Sequence, residues 1–197
     1  YDQAIINLEE ALVLNARLKK AYFPLGLSLM KVGRFEDASA LLGKTTTDNP
    51  DYPKVQNQLG LGFWELKKYD QATDSFKKAI QSNPSLVTPY ISLGSIYTSL
   101  GNHPQAIHYL KEGIAQEPNN LKARYNLGLV YEIVGRYRDA VSEYRKVASL
   151  DPDNPDIHYN LGWALMESKK YIEALVPLKQ SIRLNPKNTD AYYSLGW

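Results

Sequence analysis

The chain has 197 residues, a formal net charge of +2 and no cysteine. The lack of cysteine excludes disulfides, thiolate metal sites and cysteine nucleophiles, but leaves the compartment open, with the cytoplasm as the default expectation. Lys and Glu are evenly scattered without the basic stripe that nucleic acid needs, and no apolar run approaches the ~20 residues of a membrane span. We therefore expect neither a nucleic-acid partner nor direct membrane insertion.

Small residues and prolines recur every 34 residues along the whole chain. Glycines that each follow a leucine recur at Gly26, Gly60, Gly94, Gly128, Gly162 and Gly196. Alanines recur at Ala4, Ala38, Ala72, Ala106, Ala140 and Ala174, and prolines at Pro50, Pro84, Pro118, Pro152 and Pro186. A fixed period of this size is typical of a solenoid of stacked helical units.

The pattern Leu-Gly-x-x-Tyr, then Ala, an aromatic residue or leucine four positions later, and Pro resembles the tetratricopeptide repeat. The resemblance covers the whole chain and implies an all-α solenoid of antiparallel helix pairs stacked into a right-handed superhelix. We predict a single array, residues 1–197, cut from a longer chain. Its parts are the second helix of an earlier repeat (1–18), five repeats (19–52, 53–86, 87–120, 121–154 and 155–188) and the start of another (189–197). The family's tryptophan at position 4 is replaced by Tyr22, Gln56, Tyr90, Arg124, His158 and Tyr192.

Within each repeat, we expect Gly at position 8 and Ala at position 20 to let the two helices approach closely. The loop inside the pair carries Gly33, Gly101 and Gly135, with Lys67 and Lys169 at the equivalent positions. Between repeats, proline ends the outgoing helix, and Asn, Asp or Ser caps the next one.

A few residues break this pattern. Residues 43–47 combine poor helix formers, so we predict that the second helix of the first repeat ends early. Pro24 and Pro177 fall inside predicted helices, where each is expected to remove a hydrogen bond and bend the helix. Pro104 falls in the first turn of a second helix, where proline fits.

We find no convergent set of catalytic groups in the sequence. Among the three histidines, His103 is placed in an intra-repeat loop, His108 on a second helix and His158 at position 4, and all are interpreted as surface or partly buried side chains. No phosphate loop, paired-histidine zinc motif or nucleophile elbow occurs. We expect no catalytic residues, cofactor or metal.

The resemblance implies that positions 2, 5, 6, 9, 12 and 13 of the first helices face a concave wall where ligands bind. Position 6 is Pro24, Gln58, Ser92, Asn126, Asn160 and Ser194, and five of these six can donate and accept hydrogen bonds to an extended peptide. Positions 5 and 9 gather aromatic and leucine side chains toward the C-terminal end, where acidic residues also lie, whereas the N-terminal end carries Lys20, Lys31 and Lys54. The predicted peptide-binding set is Gln58, Ser92, Tyr125, Asn126, Leu129, Tyr159, Asn160, Trp163, Tyr193 and Trp197.

The favoured function is a non-catalytic scaffold that binds an extended peptide or a partner helix in this groove. An alternative is the substrate-selecting arm of an enzyme, because the polar row at position 6 is similar to the asparagine ladder of O-linked N-acetylglucosamine transferases. A third expectation is self-association through ends that lack a capping helix. The apolar residues expected to be left open there are Ile5, Leu8, Leu12, Leu195 and Trp197.

Overall fold

The computed structural model describes residues 1–15 and 18–196, and these residues form α-helices joined by short turns. The helices are α1 (Asp2–Leu14), α2 (Tyr22–Lys31), α3 (Phe35–Leu42), α4 (Tyr52–Glu65), α5 (Tyr69–Ser82), α6 (Val87–Ser99), α7 (His103–Gln116), α8 (Leu121–Ile133), α9 (Tyr137–Leu150), α10 (Pro155–Glu167), α11 (Tyr171–Leu184) and α12 (Thr189–Leu195). A 3-10 turn, Lys19–Ala21, precedes α2. The predicted all-α fold class is confirmed.

The chain divides into two compact units, the first ending at Ile96 and the second beginning at Tyr97. In the first unit α2 packs on α3, α3 on α4 and α4 on α5. In the second unit α8 packs on α9 and α10 on α11, while α7, α9 and α11 each also contact the helix that follows. Both units are stacks of helix pairs joined by tight turns, which is the architecture of a helical solenoid.

Glycine at position 8 lets the two helices of a pair approach closely, as predicted. A Cβ added to Gly60 would lie 2.5 Å from Cε1 of Phe76, and one added to Gly162 would lie 2.6 Å from Cγ of Leu178. The same contact recurs between Gly26 and Leu42 and between Gly128 and Tyr144. The neighbour is therefore the large side chain at position 24, which fills the space that the glycine leaves.

The turn inside each of five helix pairs places one residue in the left-handed region. Gly33, Gly101 and Gly135 have φ values of 79°, 71° and 72°, and Lys67 and Lys169 have φ values of 58° and 64°. Only glycine adopts this conformation without a steric cost. The two lysines therefore hold strained backbone at the positions where the sequence predicts a loop.

Three asparagines at the same repeat position cap the first helices of the second unit. The Oδ1 atoms of Asn120, Asn154 and Asn188 accept hydrogen bonds from the first-turn amides of α8, α10 and α12. Asp51 precedes α4 without a side-chain cap. The prediction that the residue types Asn, Asp or Ser cap the first helices is thus confirmed where Asn120, Asn154 and Asn188 precede a helix and is wrong where Asp51 does.

The breaks in the repeat have mixed outcomes. α3 ends at Leu42 after 8 residues, whereas α5 has 14, so its early end is confirmed. Pro104 lies in the first turn of α7, as predicted, and His103 begins that helix instead of lying in a loop. Pro24 is the third residue of α2, where the amide needs no intrahelical acceptor, so its predicted lost hydrogen bond is wrong. α11 continues through Pro177.

The apolar residues at the two ends differ from the predicted ones. Ile5 is buried against Leu25 and Leu29, and Leu8 and Leu12 pack on the same cluster, so these three side chains are not open. The side chains that α1 leaves exposed include those of Val13 and Leu14, at 85% and 89%. Leu195 packs on the core of the second unit. Trp197 lies outside the described residues.

Candidate functional site

An aromatic pocket of about 390 Å³ lies between α10 and α12 in the second unit. It is lined by Tyr159, Trp163, Met166, Glu167, Asp190, Tyr193 and Ser194. The α10 residues fall on one helical face, since they recur three to four positions apart. The pocket therefore combines three aromatic rings and two carboxylates on the face where the sequence predicts ligand binding.

The aromatic side chains of this pocket differ in how firmly they are held. Trp163 is half-buried because its ring packs edge-on against Tyr137, with centroids 5.8 Å apart and planes at 68°. Burial raises the pKa of the Tyr159 phenol, nearby Asp190 raises it further, and a hydrogen bond with the Ser194 hydroxyl opposes the shift. Tyr193 is 69% exposed. The rings of Trp163 and Tyr159 are thus held in place before a ligand binds, whereas the ring of Tyr193 lies at the exposed edge of the pocket.

The charge of the aromatic pocket is acidic. Glu167 and Asp190 are both exposed at its edge, and among the described residues that line it there is no basic side chain. A cation seated here would meet carboxylates and ring faces together, and aromatic faces attract Lys and Arg side chains. The pocket is chemically suited to a basic side chain of a ligand.

A second pocket of about 360 Å³, the Tyr125 pocket, lies beside the N-terminal ends of α8 and α10. It is lined by Leu121, Lys122, Tyr125, Val147, Asp151, Asn154, Asp156 and Ile157. The Tyr125 hydroxyl accepts a hydrogen bond of 3.1 Å from Nδ2 of Asn160, and its ring packs at 6.0 Å from that of Tyr144. Asn160, next in sequence to Tyr159 of the aromatic pocket, therefore helps to position Tyr125 in its own pocket.

Glu132, on α8, is half-buried and lies near Tyr144 and Tyr159. Burial raises the pKa of its carboxyl, and its interaction with the Tyr144 hydroxyl lowers it in part. The Tyr144 hydroxyl is buried and makes no hydrogen bond of good geometry, so Tyr144 and Glu132 interact through electrostatics and not through a hydrogen bond. Burial, and then the charge of Glu132, raise the pKa of the Tyr144 phenol well above its ordinary value. A ligand cation near Glu132 would relieve the cost of burying that carboxylate.

The structure brings together part of the predicted peptide-binding set. Tyr159, Trp163 and Tyr193 line the aromatic pocket, Tyr125 lines its neighbour, and Asn160 donates to Tyr125. Asn160 itself lies outside both linings, half-buried on α10. The other predicted residues outside both linings are Asn126 and Leu129, half-buried on α8, and Gln58 and Ser92, half-buried on α4 and α6. Trp197 is outside the described residues. Met166 and Ser194 were missing from the predicted set, although their repeat positions, 12 and 6, mark them for the same face.

Polar residues at position 4 have a structural role that the sequence did not indicate. Nε of Arg124 donates to the carbonyl of Pro118 at 2.6 Å, and Nε2 of His158 lies 2.7 Å from the carbonyl of Pro152. Each bond spans six residues and ties a first helix to the proline turn before it. At position 4, where the family has tryptophan, Arg124 and His158 therefore bind the backbone carbonyl of the preceding turn.

Other kinds of site find no support within the described residues. Across residues 1–15 and 18–196, no group of three or more His, Cys, Asp or Glu side chains is arranged to hold a metal ion. In the same ranges, no helix has both the length and the apolar character needed to cross a bilayer.

Family models match most of the chain. A model described as TPR repeat matches residues 94–132 and 134–168, and two models described as tetratricopeptide repeat match residues 23–86 and 155–188. Comparison of the sequence with curated proteins finds no match.

Solved structures with the same fold match nearly the whole chain. YrrB, described as a TPR protein with an unusual peptide-binding site, superposes with a TM-score of 0.78 at 22% identity, covering 96% of this chain and 98% of that one. A MamA crystal structure superposes with a TM-score of 0.76 at 24% identity, covering 86% and 92%. A third, MamA from Desulfovibrio magneticus RS-1, gives 0.74 at 20% identity, covering 87% and 97%. At these identities the likeness establishes the fold alone.

Proposed function

Because the chain belongs to the tetratricopeptide repeat family, we propose that it is a non-catalytic scaffold that binds an extended peptide along α8, α10 and α12. The peptide carries a basic side chain, which enters the aromatic pocket. The observation that carries this proposal is the convergence of Tyr159, Trp163 and Tyr193 with Glu167 and Asp190 around one pocket.

The contacts along α8 and α10 support an extended backbone as the ligand. Asn160 uses Nδ2 to bond Tyr125, while its Oδ1 can accept an N–H from a bound chain. Tyr125 borders a further pocket one repeat away, where a second ligand side chain can sit. Peptide binding by a protein of the same fold, YrrB, is consistent with this use of the array.

The pocket's energetics favour recognition of Lys or Arg over an apolar residue. Aromatic rings that are already packed lose little conformational freedom on binding and carry much of the energy at interfaces. The carboxylates of Glu167 and Asp190 add charge complementarity, which selects the partner and its direction. Glu132, half-buried on α8 at repeat position 12, adds a third carboxyl group on the same face.

Selection from a random peptide display library against the intact chain tests the proposal. We expect the recovered peptides to share a Lys or Arg at a fixed position. Glu167→Gln combined with Asp190→Asn removes two exposed charges without disturbing the core, and should abolish that enrichment. The control, Glu112→Gln with Asp153→Asn, makes the same change of charge elsewhere and should preserve it.

Two results contradict the proposal: recovered peptides without a shared basic residue, or enrichment that survives in the aromatic-pocket variant. The alternative, that the array is the substrate-selecting arm of a glycosyltransferase, stays a prediction because its catalytic domain would lie outside this sequence.

A further inference from the structure

A basic pocket of about 590 Å³ lies on the second-helix side of the second unit, apart from the aromatic pocket. Its lining comes from α8, α9 and the turn before α11, and combines five basic residues with three serines. The lining residues are Arg124, Arg138, Val141, Ser142, Arg145, Lys146, Ser149, Ser168 and Lys170. No carboxylate is among them, although Asp and Glu together nearly equal Lys and Arg over the whole chain. The fold therefore concentrates positive charge at this place.

Ion pairs balance this charge only in part. Arg124 pairs with Glu143 at 2.6 Å, largely shielded from solvent. Arg145 and Lys170 share the single carboxylate of Glu173, and their hydrogen bonds hold the pKa of that carboxyl below its usual range. Two carboxylates thus serve three of the basic side chains.

Arg138 and Lys146 complete the set of cations. Among the described residues neither has an ion-pair partner, and both are exposed. They lie eight positions apart on α9, on the side that also presents Ser142 and Arg145 to the pocket. These two side chains are the cations that a ligand can use without breaking an existing pair.

The pocket also offers an uncharged hydrogen-bond donor. The Ser142 hydroxyl is exposed and makes no hydrogen bond to a described residue, so it can donate to a ligand.

We propose that the basic pocket binds a phosphate monoester dianion. Arginine forks match the planar faces of phosphate oxygens and bind them with two hydrogen bonds, and lysine adds a point charge. The cations surround one concavity instead of forming a stripe, which suits a compact anion better than the repeating phosphates of a nucleic acid. The pocket shares no lining residue with the aromatic pocket, so this proposal and the peptide-binding function stand or fall separately.

Calorimetric titration of the intact chain tests the proposal, at low ionic strength because salt screens exposed charges. The probes are inorganic phosphate, adenosine monophosphate, and a phosphoserine peptide beside its unphosphorylated form. Binding of the phosphopeptide but not its unphosphorylated form identifies a modified polypeptide as the source. Binding of the nucleotide or of phosphate alone identifies a small-molecule source.

Arg138→Ala with Lys146→Ala removes the two unpaired cations and should weaken binding of the active probe roughly tenfold or more. The matched control, Lys111→Ala with Lys179→Ala, removes the same charge from exposed positions on α7 and α11 outside the pocket. It should leave the affinity within about twofold. Failure of every probe to bind the unaltered chain overturns the proposal, as does equal weakening by the two double variants.

Discussion

At the scale of single residues, two lysines hold the left-handed turn conformation that glycines hold in three other pairs. Lys67 and Lys169 have φ values of 58° and 64°. The left-handed conformation costs an L-residue ~1–2 kcal/mol, which a substitution by glycine relieves. The greater freedom of glycine in the unfolded chain offsets part of this stabilisation. We expect Lys67→Gly and Lys169→Gly each to raise the free energy of unfolding by about 0.5 to 1 kcal/mol, measured by urea denaturation.

The reverse change provides the control for this prediction. A Cβ at Gly101, whose φ is 71°, would meet no atom within 4 Å, so Gly101→Ala introduces backbone strain without a clash. It should lower the free energy of unfolding by about 1 kcal/mol. Unchanged stability in all three variants would contradict the strain assigned to these turns.

Glu132 should make stability depend on pH in a defined direction. Burial raises its folded-state pKa above the ordinary value of 4.5, so the folded chain holds a proton that the unfolded chain has already lost as pH rises above that value. The buried carboxylate therefore destabilises the fold above its raised pKa, and this cost disappears as pH falls below about 4.5. We expect Glu132→Gln to be more stable than the unaltered chain at neutral pH and equal to it in acid, measured by denaturation across pH.

Tyr144→Phe tests the pKa of Glu132 in a second way. The Tyr144 hydroxyl lowers the pKa of Glu132 in part, so its removal should raise that pKa further and increase the destabilisation by Glu132 at neutral pH. A stability difference between Glu132→Gln and the unaltered chain that is the same at acid and neutral pH would contradict this account.

At the scale of elements, close helix pairing depends on glycine at position 8. Gly60 and Gly62 lie in the same helix, α4, but a Cβ at Gly60 would be 2.5 Å from the Phe76 ring, while one at Gly62 would be 3.2 Å from Oγ of Ser39, a contact that a shift of only a few tenths of an ångström relieves. We expect Gly60→Ala to cost ~1–3 kcal/mol of unfolding free energy. Gly62→Ala should change it by less than about 1 kcal/mol, because better helix propensity offsets the contact.

Thermal or urea denaturation of the two alanine variants measures this difference. Equal stability of the two would contradict the close approach at position 8.

The 34-residue period explains why the helix pairs could be predicted in such detail. Gly60 and Asn154 have the packing and capping roles that their positions imply, because each neighbour is set by the repeat itself. Pro24 shows the limit of the period, since the first helix of that repeat begins late, at Tyr22, and the proline falls in its first turn.

The basic pocket could not be predicted in the same way. Arg124 and Lys170 reach it from different elements, and their distance in sequence carries no sign of the contact. A partial signal did exist, because Arg138, Ser142 and Arg145 recur at helical spacing on α9. Their charges appear scattered along the sequence, and only the packing of the helices brings them together.

At the scale of the whole molecule, exposed apolar side chains favour self-association. Ile172 and Val176, on one side of α11, are 85% and 74% exposed, and Leu175 lies between them at 42%. Contiguous apolar side chains of this kind promote association in water. We expect the chain to form dimers at high concentration through this face, measured by sedimentation equilibrium.

Ile172→Lys with Val176→Lys should shift the dimer equilibrium toward monomer by about tenfold or more, because it charges the proposed contact. Val13→Lys with Leu14→Lys makes the same change on α1 and serves as the control. A monomeric unaltered chain, or equal weakening by both variants, would contradict association through α11.

The proposed binding of a peptide in the aromatic pocket of the second unit is tested at Trp163, whose ring lines that pocket. The measurement is the affinity of a library-selected basic peptide for the chain with Trp163→Ala, by isothermal titration, with circular dichroism to show that the helices persist. Removal of a pocket tryptophan should weaken binding by about thirtyfold, whereas Tyr171→Ala, which removes an exposed aromatic ring from α11, should leave the affinity within about twofold. Unchanged affinity in a folded Trp163→Ala chain would contradict the proposal.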